Sequence, residues 1–153
     1  VGGNFFTMGA RDNRTIILCL DANTGEEHWV KEIGTVLGNA WGDGPRGTPA
    51  VDGDNVYTLT GEGNLSCVAT VDGSILWETA TSKLGGSTPN WGYSESVLID
   101  GQKLLFTPGG EEGTVAALDK STGEVIWQSK QIEDKAHYSS IVAWRKHDAI
   151  GVS

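Results

Sequence analysis

The stretch DANTGEEHW (residues 21–29) closes an apolar run with a Thr-Gly turn and sets a tryptophan four residues after the glycine. DKSTGEVIW (119–127) is nearly the same text, and ATVDGSILW (69–77) is a worn third copy. The tryptophans that end them, Trp29, Trp77 and Trp127, recur at intervals of 48 and 50 residues. A recurrence of about 40–50 residues, filled with short strands, is the period of a propeller blade.

One full period reads as four strands. TPAVDG (48–53) is apolar and ends in a Gly turn, and NVYTLTGEG (55–63) is rich in β-branched and aromatic residues. NLSCVATVDG (64–73) closes at Asp-Gly, and SILWETA (74–80) carries the tryptophan. Asp52-Gly53 and Asp72-Gly73 suit tight hairpins, because Gly supplies positive φ without steric cost. SVLIDG (96–101), KLLFTPGG (103–110), GTVAALDKSTG (113–123) and EVIWQS (124–129) repeat the plan. The first period supplies only GGNFFTMGA (2–10), TIILCLDANTG (15–25) and EEHWVKEI (26–33), and so lacks an opening strand. SSIVAW (139–144) reads as an opening strand, with AIGVS (149–153) beginning a second. The expected fold is all-β. It is a partial β-propeller of four-stranded antiparallel blades, about three of them present, divided at 1–33, 46–80, 93–130 and 138–153. No stretch carries the i, i+3, i+4 pattern of a long amphipathic helix.

In this arrangement Thr24-Gly25 and Thr122-Gly123 make the turn between the third and fourth strands. The next strand then lays Trp29 or Trp127 against the neighbouring blade. Asp and Thr side chains at such a turn bond the turn backbone. In the middle copy Ala69 and Asp72 stand where Asp21 and Thr24 stand in the first, so that turn is expected to be less firmly pinned.

Composition narrows the function. The 153 residues carry a formal charge of −9, and the Lys and Arg residues are scattered. That argues against nucleic acid or an anionic membrane as main partner. No apolar run is long enough to span a bilayer. Twenty-two glycines and only four prolines suit a chain that turns often between short strands. Cys19 and Cys67 stand at the same place in successive repeats and read as small buried thiols rather than a metal pair. Glu26 and His28 share a strand face but lack a third ligand, so no metal is expected there.

DANTGEEHW and DKSTGEVIW resemble the tryptophan-docking motif of the pyrroloquinoline-quinone-like (quinoprotein-type) β-propellers. GPRGTPAVDGDNVYTL (44–59) and WGYSESVLIDGQKLLFTPGG (91–110) resemble the PQQ-binding-like repeat proteins of bacteria. The resemblance implies a ring of six to eight blades and a periplasmic or extracellular location. One branch of the family comprises alcohol and sugar dehydrogenases that use pyrroloquinoline quinone with calcium. Another comprises outer-membrane assembly lipoproteins that bind protein and no cofactor. This sequence has no vicinal Cys-Cys pair and no Glu, Asn and Asp set that matches the dehydrogenases' calcium ligands and base. The expected role is therefore a non-catalytic binding or scaffolding module, with no cofactor. The alternative is a fragment of a PQQ-dependent dehydrogenase, in which case the parent protein would hold quinone and calcium.

Ligands of a propeller gather where loops enter the innermost strands. Three such loops are WGDGPRG (41–47), PNWGYSE (89–95) and DKAHYSS (134–140). Aligned on their strands, they place Arg46, Ser94 and Tyr138 at one level, and Gly47, Glu95 and Ser139 at the next. Trp41, Trp91, Tyr93 and His137 lie just upstream. Aromatic rings that stack, an Arg for a carboxylate and a His or Glu that moves a proton would suit a flat anionic ligand. Arg46, Trp91, Tyr93, Glu95, His137 and Tyr138 are thus the candidate ligand residues. Equally, such aromatics can pack neighbouring loops together and Arg46 can pair with Glu95 or Asp43. Three blades also leave open flanks, to be covered by the remaining blades of a longer chain or by a second copy that completes the ring. A protein or carbohydrate ligand is expected.

Overall fold

The computed structural model describes residues 3–40 and 42–144. Eleven strands form three antiparallel sheets. The first holds β1 (Asn4–Arg11), β2 (Arg14–Asp21) and β3 (Glu27–Thr35) in the order β1-β2-β3. The second holds β4 (Ala50–Asp52), β5 (Asn55–Leu59), β6 (Asn64–Ala69) and β7 (Ile75–Ala80), paired in chain order. The third repeats it with β8 (Leu98–Asp100), β9 (Lys103–Phe106), β10 (Ala116–Asp119) and β11 (Val125–Gln128). Thr81–Leu84 forms a single 3₁₀ turn after β7, ended by Gly85 in the left-handed region.

The registers align the sheets residue for residue. Phe6, Cys19 and Trp29 face one another across β1, β2 and β3. Tyr57, Cys67 and Trp77 do so across β5, β6 and β7, and Leu105, Ala117 and Trp127 across β9, β10 and β11. The last two strands of every sheet carry a register shift close to this line.

The first two sheets each pack one face on their successor. Ile17 and Ile33 of the first meet Val56 and Val68 of the second. Tyr57, Leu65 and Cys67 of the second meet Leu104, Phe106 and Leu118 of the third. Both thiols are buried, and burial raises their pKa, that of Cys67 to about 11.

The tryptophans dock between sheets. Trp29 donates its indole N–H to the Thr70 carbonyl at 3.1 Å, and Trp77 donates to the Lys120 carbonyl at 2.9 Å. Each ring lies over the turn glycine of the next sheet. A Cβ on Gly73 would stand 2.7 Å from Trp29, and a Cβ on Gly123 would stand 2.7 Å from Trp77. The glycine is therefore required twice, for its left-handed φ and for the close approach of the ring. Trp127 meets no following sheet among the described residues and stays 41% exposed.

The turns are tied as their side chains allow. Asp21 accepts the N–H groups of Asn23 and Thr24, and Asp119 those of Ser121 and Thr122. Thr24 and Thr122 hydroxyls in turn accept the N–H groups of Glu26 and Glu124. The middle turn has only Asp72, bonded to the backbone and hydroxyl of Ser74. It is held from its far side rather than from its start.

One expected strand is absent. Residues 139–144 form no ladder. The opening strand of a blade is held by the second strand of its own blade, and the expected one, 149–153, lies outside the described residues. Segment 139–144 instead touches the third sheet through a side chain, as Ser96 donates its N–H to the Ser140 hydroxyl.

Candidate functional site

The three entry loops meet at one end of the sheets. Asn39 donates its side-chain N–H to the Asn90 carbonyl, tying the first loop to the second. At the base of the loops Thr48 donates its N–H to the Ser96 hydroxyl at 2.9 Å, and Ser96 donates its own to the Ser140 hydroxyl at 3.0 Å. A hydroxyl thus recurs at the same position of three successive entry segments, and the two bonds link the inner edge of the second sheet to that of the third and to segment 139–144. This rung was not singled out in the sequence. Extending the loop alignment one residue past Gly47, Glu95 and Ser139 reveals it as Thr48, Ser96 and Ser140.

Arg46 and Glu95 turn inward. Arg46 spends its guanidinium on its own loop, donating to the carbonyls of Gly44 and Gly42 and to the Asn39 side-chain oxygen at 2.8–3.0 Å. It braces the loop and contacts neither Glu95 nor Asp43. Glu95 is 3% exposed. One of its carboxylate oxygens accepts the Thr107 N–H and the other has no partner among the described residues. Burial pushes its pKa up to about 7, against the lowering effect of the Thr107 contacts. Its backbone also lies close to the first loop, since a Cβ on Gly47 would stand 2.3 Å from the Glu95 carbonyl oxygen.

Tyr93 is a core residue. Its ring packs among Leu84, Leu104 and Phe106, and its hydroxyl donates to the Pro108 carbonyl at 2.9 Å. The side chain is committed to holding the second loop and faces no ligand space. Loop aromatics read the same in sequence whether they face in or out. A usable signal lay in Gly63 and Gly86, where a Cβ would stand 2.7 Å from Tyr93 atoms.

The remaining three candidates come together. Trp91 stacks on Tyr138 with ring centroids 5.1 Å apart, and on His137 at 5.9 Å, both near parallel. The Trp91 indole N–H is buried without a partner among the described residues. His137 and Tyr138 are exposed, so the outer face of the stack forms a shelf. Beside it lies a recess of about 280 Å³ walled by Ser87, Thr88, Asn90, Trp91, Lys135 and His137. Ser94 bonds its own loop at the Gly92 carbonyl, and Ser139 lies on the far side of His137 in an adjoining hollow. Trp41 lies outside the described residues. The shelf offers flat apolar faces and neutral hydrogen-bonding groups, with Lys135 as the charged residue in the recess wall.

Among the described residues no three His, Cys, Asp or Glu side chains come close enough to hold a metal ion. Glu26 and His28 stay apart in this sense, His28 lying 3.7 Å from Asp21. The described residues do not fit a calcium-quinone pair. No helix among the described residues is long and apolar enough to cross a membrane.

Repeated four-stranded sheets, docked by tryptophan on glycine and joined at an inner rung, define a β-propeller segment of the pyrroloquinoline-quinone-like repeat class. The chain belongs to the PQQ_2 family, described as outer membrane protein assembly factor BamB, whose sequence model matches residues 13–148. Solved structures agree in fold. BamB from Moraxella catarrhalis superposes with a TM-score of 0.59 at 24% identity, over 82% of this chain and 34% of that one. A europium-containing methanol dehydrogenase gives 0.58 at 20% identity, over 83% and 23%. The quinohemoprotein alcohol dehydrogenase ADHIIG from Pseudomonas putida HK5 gives 0.58 at 20%, over 82% and 19%. The chain thus spans about a third of the BamB chain and less than a quarter of either dehydrogenase. No curated protein matches.

Proposed function

We propose that this segment is a non-catalytic binding module of a bacterial envelope β-propeller, working outside the cytoplasm and engaging a protein or carbohydrate at the mouth formed by its entry loops. The shelf of Trp91, His137 and Tyr138 carries this reading. Stacked rings beside a shallow, mostly uncharged recess favour a flat apolar face such as a sugar ring or an aromatic side chain. Arg46 and Glu95, the residues best suited to an anionic cofactor or proton transfer, are turned to structural work. The family points to the envelope, since its description is that of an outer-membrane assembly factor.

Two titrations test the proposal. Soluble oligosaccharides and peptides presenting aromatic side chains, followed by indole fluorescence, should give a saturable change that Tyr138→Ala weakens by about tenfold, the loss of one stacking contact. No response to either ligand class overturns the reading. Stoichiometric uptake of pyrroloquinoline quinone with calcium, accompanied by dye-linked alcohol oxidation, overturns it in favour of a dehydrogenase.

A further inference from the structure

The second and third sheets are each complete with four strands, and the seam between their loops holds a groove. One end is the recess beside Trp91, whose apolar walls are Pro89, Trp91 and Ala136. The other end is a second recess of about 320 Å³ walled by Gly85, Ser87, Gly110, Glu111, Glu112 and Lys135. Ser87 and Lys135 line both, so the two are continuous. Each stands at the lower end of the roughly 300–1,000 Å³ that small-molecule sites occupy, which suits one side chain of a ligand better than a whole cofactor.

The acidic end is built by the loop between β9 and β10. Phe106 pairs with Ala116 ten positions on, whereas the matching pair of the second sheet, Thr58 and Ser66, is eight apart. With Gly61 aligned on Gly109 and Gly63 on Gly113, the extra length falls within 110–112 and brings Glu111 and Glu112 to the seam. The loop is held on both sides. Gly110 donates its N–H to the Asp134 carbonyl, and the Gln128 side chain donates to the carbonyls of Leu84 and Gly113. The seam also makes room for it. At the first seam Leu37, eight residues after Trp29, lies against Gly61 and Gly92. Eight residues after Trp77 stands Gly85, and a Cβ there would come within 2.3 Å of the Glu112 side chain.

Glu111, Glu112 and Lys135 are exposed, and none of them forms an ion pair or a side-chain hydrogen bond among the described residues. Two carboxylates against one ammonium leave negative charge in excess. A neutral ligand laid over them would strip water from that charge and supply no counter-charge, which costs free energy. A ligand with a cationic group beside its apolar one offsets that cost. The chain's net charge of −9 favours the approach of such a ligand.

From this groove we infer that the occupant is an extended segment of a partner protein that carries an aromatic residue and, two positions away, an Arg or Lys. Side chains two apart in an extended segment share a face at a spacing of about 7 Å, and so enter neighbouring recesses. The ring lies against Trp91, and the cation meets Glu111 and Glu112. Ser87 and Lys135, shared by the two recesses, are donors for the carbonyl groups of the segment. The inference rests on the binding role proposed for these loops and narrows it from protein or carbohydrate to a basic, aromatic peptide.

Titration of the protein with capped pentapeptides, followed by indole fluorescence, tests this. Acetyl-Gly-Phe-Gly-Arg-Gly-amide should bind about fivefold more tightly than the same peptide with Gln in place of Arg, the scale of exposed ion pairs. The advantage should shrink between about 50 mM and about 500 mM salt. A double variant, Glu111→Gln with Glu112→Gln, keeps the shape of both exposed side chains. It should bind the two peptides equally, with wild-type affinity for the Gln peptide. Equal affinity of the wild type for the two peptides overturns the inference and leaves the binding role of the shelf in place, as does a response to soluble oligosaccharides alone. A preference for the Arg peptide that survives in the double variant also overturns the inference. No response to any peptide or oligosaccharide overturns both the inference and the reading it rests on.

Discussion

Trp77 covers Gly123 so closely that a single added methyl carbon would stand 2.7 Å from its ring, and it donates its indole N–H to Lys120 in the same turn. The ring and the turn belong to neighbouring sheets, so each is correct only if the other is. Gly123→Ala should therefore cost about 2–4 kcal/mol, part from the left-handed φ and part from displacing the indole. Gly25→Ala has the φ penalty without the ring and should cost about 1–2 kcal/mol. Urea midpoints measured at low protein concentration give the difference directly.

The docked and undocked tryptophans should separate in the same way. Trp29→Ala or Trp77→Ala removes a large apolar contact between sheets and should cost about 2–4 kcal/mol. Trp127→Ala should fall within about 1 kcal/mol of wild type. Trp29→Phe keeps most of the packing and loses the bond to Thr70, for about 1 kcal/mol.

Glu95 gives the fold a pH dependence near neutrality. Its folded pKa of about 7 lies above the ordinary 4.5, so the native state holds the proton more tightly than the unfolded chain. Stability from this group is complete below about pH 4.5 and is lost as pH rises towards 7. Glu95→Gln stays neutral and keeps an acceptor for Thr107. It should therefore exceed wild type by about 2–3 kcal/mol at pH 8, with the gap closing towards pH 4. Paired melts across that range give the answer, and a gap that does not change with pH would refute the assignment.

The turn aspartates act in the opposite direction. Hydrogen bonds from Ser121 and Thr122 hold the Asp119 carboxyl below its usual pKa, and those from Thr24 and Asn23 hold Asp21 below its own. Their contribution is present above the ordinary carboxylate pKa and fades as pH falls through the lowered one. Asp119→Ala should destabilise the protein more at pH 7 than in acid, where the protonated carboxyl keeps a single neutral acceptor. Asp119→Asn, which keeps one acceptor, should lie between them.

Cys19 and Cys67 sit behind the docked rings with raised thiol pKa values. A disulfide-exchange reagent at pH 8 should label neither in the native protein and both in urea. The labelling rate should follow unfolding rather than pH.

The parts of the fold that depend on one residue type at one spacing were legible in the sequence. Trp29, Trp77, the turn aspartates and the paired cysteines all repeat with the blade, and the structure places them at matching registers. The loops were only partly legible, because their residues do not repeat. Trp91 and Tyr93 are both aromatics beside Gly92, yet one stacks at the surface and the other fills the core. Arg46 looks like a ligand for carboxylate until the fold brings three oxygen acceptors of its own loop around it. Glu95 is buried, and its backbone lies against Gly47, a contact across 48 residues that no local pattern encodes.

The tryptophan-on-glycine contact is also directional. Every sheet carries the knob on one side and its socket on the other. A whole unit spliced in or out of the gene would leave matching surfaces on both sides of the seam. Lineages built this way can lengthen or shorten their wheel by duplication or deletion, with no boundary needing fresh invention.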